Sequence, residues 1–155
     1  MGNPPIWQRL VALLAYLLPW SDGVGFGRYL FNLVPALQWS TLPALPILMV
    51  ERAIPFGGFL LFLVLFLVVV RNPRIPYFIR FNVLQAILID IVLVLLGLVF
   101  QVVLVPLQAD FATRTLSNTI FLGTVVVVLF AAIECARGRE ADIPTLSSAV
   151  RMQLF

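Results

Sequence analysis

The sequence predicts an all-α integral membrane protein with four transmembrane helices and an interfacial or re-entrant segment between the first and second. Two observations predict it. Apolar residues make up 62% of the 155 and charged residues 11%, with a mean hydropathy of +1.08; a soluble domain of this length needs a far more polar surface. The apolar residues also gather into long runs separated by short breaks rich in Arg, Pro and Gly. A span takes about 20 residues, so residues 1–155 are read as a single membrane domain of four crossings, with no room for a soluble one.

The first span is expected over residues 6–20. It is about 22 Å long against a hydrocarbon core of about 30 Å. Trp7 and Trp20 stand at its ends as interfacial anchors, and Pro19 with the Ser21-Asp22-Gly23 turn is expected to end it. Residues 29–50 form an apolar segment interrupted at Pro35, Pro43 and Pro46. They are read as an interfacial helix over 29–39 followed by a shallow dip into the bilayer, with a true re-entrant hairpin as the alternative.

The second span, 55–70, is stopped by Arg71-Asn72-Pro73. The third, 77–105, starts after Pro76 and would reach about 45 Å if unbroken, so it must tilt or leave its first turns among headgroups. Pro106 and the polar stretch to Ser117 are expected as a loop, followed by a fourth span over 119–136 closed by Arg137-Gly138-Arg139. The tail, 140–155, reads as an amphipathic segment on the membrane surface.

Arginine placement predicts topology. With four spans, Arg9, Arg71, Arg74, Arg80, Arg137, Arg139 and Arg151 fall on one side and Arg28, Arg52 and Arg114 on the other. The positive-inside rule then puts both termini on the cytoplasmic or stromal side. The formal net charge of +3 forms no continuous basic face, so nucleic acid is not an expected partner. The chain contains no His, which removes the commonest general base and metal ligand. No Ser or Asp pair has catalytic spacing within the spans. No catalytic, metal or cofactor residue is therefore assigned. Cys135 stands alone and reads as a small apolar filler. The first ten residues lack the basic region of a secretory signal and the composition of a transit peptide, so the first helix is expected to belong to the mature protein.

Polar side chains inside the third span carry the functional question, because they are costly in lipid unless they face protein, water or a substrate path. Asn82 and Gln85 are three apart and share a face; Arg80 and Asp90 are displaced from it. Asp90 lies about 15 Å beyond Arg80, near the midplane if Arg80 marks the boundary. An antiparallel fourth span brings Glu134 level with Arg80, which predicts an Arg80–Glu134 ion pair with Arg137 as competitor. At the level of Asp90, Tyr16 and Thr124 are the expected hydroxyl partners; otherwise Asp90 is protonated. Arg80, Asn82 and Gln85 also admit a plainer role as helix–helix contacts and anchors. Glu51-Arg52 reads as a solvated pair.

The same residues carry a resemblance. Tyr16-Leu17-Leu18-Pro19, Phe26-Gly27, Pro35, Val70-Arg71-Asn72, Phe78-Ile79-Arg80-Phe81-Asn82, Gln85-Ala86-Ile87, Ile143-Pro144, Ser147, Ala149-Val150 and Gln153 resemble the family of the 20-kDa channel subunit of the Tic translocon, at the chloroplast inner envelope, and its cyanobacterial relatives. The resemblance implies four membrane helices and a non-enzymatic protein that forms or lines a protein-conducting path with other subunits. It implies a cyanobacterial plasma or thylakoid membrane, or the plastid inner envelope. Arg71, Asn72, Arg80, Asn82, Gln85 and Asp90 are then the residues of the path or of its helix packing. Expected partners are membrane lipid, other translocon subunits and a translocating polypeptide. The rival functions are a structural or assembly subunit of a photosynthetic membrane complex, and a small transporter using Asp90 as a proton-coupled carboxylate.

Overall fold

The computed structural model describes residues 2–154, and every regular element among the described residues is helical. Phe155, the end of the expected tail, lies outside the described residues. The chain opens with α1 (Ile6–Ala15), α2 (Leu17–Gly23), a 3-10 turn (Val24–Gly27) and α3 (Arg28–Leu33). Together Ile6–Leu33 form one rod long and apolar enough to cross a membrane.

The expected end at Trp20 is thus corrected, and Pro19 explains why. It sits third in α2, in the first turn, where an N–H has no intrahelical partner. The missing N–H costs the preceding helix one bond, and the chain tightens at Tyr16, whose N–H reaches Leu13 O at 3.1 Å. In hydrocarbon the backbone gains nothing by leaving the helix. Ser21 accordingly turns its hydroxyl back onto Leu18 O at 2.6 Å.

The connector starts with a 3-10 segment (Pro35–Ala44) and α4 (Leu45–Ala53). Phe56 then adopts left-handed backbone, φ 57°, before α5 (Gly57–Val64) and a π-helical turn (Leu65–Val70). Pro35–Ala53 and Gly57–Val70 meet at 109°, so the expected re-entrant segment is the first arm of a bent helix pair. The bend requires Gly57, because a Cβ there would stand 2.6 Å from Glu51 O.

Next come α6 (Tyr77–Val99), extended by a π-helical turn (Phe100–Leu104), and α7 (Asp110–Ala136). α7 begins well before the expected Thr119, so the predicted loop up to Ser117 is largely helical. Thr113 and Thr119 return their hydroxyls to Ala109 O and Thr115 O, at 2.9 and 2.8 Å, which satisfies them without leaving the helix.

Pairwise contacts give the directions. Tyr16 meets Asn82 at one end of α6, and Phe26 meets Phe100 at the other, with ring centroids 5.4 Å apart. The first rod and α6 therefore run parallel, and the bent pair must carry the chain back between them. α7 runs against both, since Cys135 meets Asn82 while Phe121 meets Phe31. Arg9 Nη1 donates to Ala136 O at 3.3 Å, so α1 starts where α7 ends.

Last comes α8 (Leu146–Leu154). Its inner face, including Ser147 and Val150, is fully buried and joins a core with Leu18, Ile79, Phe81 and Leu84. The tail expected to lie on the surface is instead fastened to the bundle.

Candidate functional site

A run of polar side chains follows the seam between the first rod and α6. At its tail-side end, Asn82 and Gln85 are both 0% exposed, and Tyr16 links them. Gln85 Nε2 donates to Tyr16 Oη at 3.1 Å, and Tyr16 Oη donates to Asn82 Oδ1 at 2.8 Å. Cys135 Sγ reaches the same oxygen at 3.2 Å, and Asn82 Nδ2 donates to Phe78 O at 2.8 Å. On the other side Ser147 Oγ donates to Gln85 Oε1 at 2.7 Å, and Gln85 Nε2 reaches Ala141 O at 3.0 Å. Every polar group of the two amides has a partner, as burial in a low-dielectric interior demands.

Farther along the seam the character changes. The carboxyls of Asp22 and Asp90 face one another across one cavity and interact electrostatically. No hydroxyl or amide donor reaches the buried Asp90 Oδ1. Asp22, Asp90 and Glu51 line that cavity, of about 430 Å³, between the bent pair and α6, walled by Gly58, Phe59 and Phe62. Asp22 also borders a second cavity of about 330 Å³ that contains Gln101 and Phe26. Among the described residues, no group of three or more His, Cys, Asp or Glu side chains is arranged to hold a metal ion.

Several expected contacts are replaced by others. The Arg80–Glu134 ion pair is not formed. Arg80 Nε donates to Val70 O at 2.8 Å, where it caps the end of the second arm, and Glu134 pairs with Arg137 at 3.3 Å, one turn away on its own helix. Neither expected hydroxyl reaches Asp90. Tyr16 belongs to the Asn82–Gln85 group, while Thr124 bonds Ile120 O at 2.8 Å and packs its methyl on Gly23. Asn72 is a turn residue whose Oδ1 accepts the Arg74 N–H at 3.0 Å; Arg71 is exposed beside it.

Four contributors escaped the sequence reading. Asp22 was hidden in an apparent turn, and Glu51 in an apparent surface pair with Arg52. Cys135 and Ser147 carry no signal of their own; only the likeness of Ser147 to a family position marked it.

The family model described as chloroplast import apparatus, Tic20-like, matches residues 1–150. A Tic20 family protein of Synechocystis sp. is 42% identical, over 95% of this chain and 92% of the relative. The Tic20 family protein Ycf60 of Gracilaria tenuistipitata var. liui is 33% identical, over 96% and 76%. Protein TIC 20-v, chloroplastic, of Arabidopsis thaliana is 28% identical, over 96% and 71%.

Proposed function

The chain belongs to the Tic20-like family of the chloroplast import apparatus, and on that premise we propose that it is a non-enzymatic, path-lining subunit of a membrane complex that translocates or inserts polypeptides. The observation that carries this reading is the seam. In a chain so poor in charge, Asp22, Glu51 and Asp90 converge on one cavity, and Gln101 lines the adjoining one. Such groups wet part of a low-dielectric route and lower the desolvation cost for a passing peptide backbone. Helices this few cannot enclose a pore for an unfolded chain. The path is therefore a lateral groove completed by other subunits, lipid or further copies.

In this reading Arg71, Asn72 and Arg80 hold the connector and the helix ends, Asp90 faces the path, and Asn82 and Gln85 form its closed end. The protein is a multi-pass component of a cyanobacterial plasma or thylakoid membrane, or of a plastid inner envelope. Both termini are cytoplasmic or stromal, as the arginine excess at that end favours.

Photoreactive side chains at positions 22, 90 and 101 test the proposal against lipid-facing positions 126 and 129 in native membranes carrying an arrested polypeptide. Cross-links from the first group alone are expected. Cross-links only to resident complex subunits would replace this reading with a structural or assembly subunit, which the saturated bonding of Asn82 and Gln85 favours.

A further inference from the structure

We propose that residues 138–154 form a lid over the tail-side end of the seam, opening when Ser147 leaves Gln85. This inference rests on the path reading above and assigns its regulation. The segment is built as a separable unit. Within it Arg151 pairs with Glu140 at 3.3 Å and Asp142 at 3.5 Å, and the same side chain also reaches Tyr77 on α6. Ser147 Oγ also caps the Ile143 N–H at 2.8 Å. Attachment to the bundle is mainly to one helix, α6. It includes the Gln85 contacts to Ala141 O and Ser147, burial of Ala141 and Val150, Leu154 packed on the core, and Arg151 against Tyr77 and over the Phe81 ring at 5.5 Å.

The backbone of the closed form is strained inside the lid. Thr145 has φ 65°, and β-branched residues avoid left-handed backbone. At the root of the lid Gly138 has φ 75°, a conformation open to glycine at no steric cost, and it supplies the pivot. Beneath the lid lie Tyr16, Asn82 and Cys135, none more than 1% exposed, with Ala141 packed against them. Ser147, Gln85, Tyr16 and Asn82 form one donor-to-acceptor chain. Releasing the first link therefore leaves the seam with unmatched polar groups able to take water or a peptide.

Cys135 is the sole cysteine and a natural reporter. The full-length protein in lipid nanodiscs, exposed on both sides to a hydrophilic maleimide, should label slowly. Ser147→Ala should raise the rate at least tenfold. Thr145→Asn, which suits left-handed backbone, should lower it at least threefold, and Ser148→Ala on the exposed face should leave it unchanged. Equal rates in all four proteins, at matched helix content and elution, would overturn the lid. A photoreactive side chain at position 90 separates the two readings. Should labelling follow this order while polypeptide cross-linking does not, the lid stands and the path reading fails.

Discussion

At the scale of single residues, Tyr16 decides the interior, because its hydroxyl both accepts from Gln85 and donates to Asn82. Tyr16→Phe keeps the ring and deletes both bonds. Interior hydrogen bonds in membrane proteins contribute about 0.6 kcal/mol on average, so a loss of about 1–2 kcal/mol is expected. Asn82→Leu should cost more, about 2–4 kcal/mol, since it strands the Tyr16 hydroxyl and the Cys135 thiol together. Reversible unfolding in mixed micelles measures both, and an Asn82→Leu protein as stable as the parent would dissolve the network. The Asp22–Asp90 pair makes a different prediction: Asp22→Ala and Asp90→Ala should be non-additive by about 0.5–3 kcal/mol in a double-mutant cycle. Asn82 and Gln85 were legible in the sequence as one helix face. Their partner was not. Reading Trp20 as an interfacial anchor set Tyr16 too far along α6, whereas Trp20 Nε1 is spent on Ser40 O at 2.8 Å, and the whole rod slides.

At the scale of elements, turn signals calibrated in water misled where hydrocarbon is the solvent. Pro19, Ser21-Asp22-Gly23 and the polar run before Ser117 all read as breaks, yet each is helical. Water would hydrogen-bond a backbone released from a helix; lipid cannot. The break that did form needed more than a proline: left-handed Phe56 next to Gly57, where the two arms touch. Gly57→Ala should therefore overpack the bend and cost about 1–3 kcal/mol. Gly123, inside α7 with open space around its missing Cβ, provides the contrast. Gly123→Ala should stabilise by about 0.5–1 kcal/mol through helix propensity alone. Thermal unfolding of the two variants in one detergent tests whether the bend is a packed joint or a loose hinge, and equal shifts would indicate the latter.

At the scale of the whole molecule, the parallel packing of the first rod on α6 carries the topology. Two parallel spans joined by one connector require that connector to cross back, so the bent pair must traverse the membrane in total, however its first arm lies. The arginines sort accordingly. Arg28 and Arg114 flank the ring of Tyr29, at 5.4 and 5.6 Å, at the end remote from the Arg9–Ala136 and Arg80–Val70 contacts. Arg28 and Arg114 of the smaller charge group thus stand at the end opposite Arg9 and Arg80 of the larger. Chain order and charge made this legible, while the 109° bend did not, since no periodicity records an angle. In a Cys135→Ala background, Asn3→Cys and Ser148→Cys should react with a membrane-impermeant thiol reagent from the same side, and Leu107→Cys, in the exposed turn before α7, from the other. Labelling of positions 3 and 148 from opposite sides would mean an odd number of crossings. The rod and α6 could not then be parallel, and the seam of Tyr16, Asn82, Asp22 and Asp90 would lose the register that brings it together.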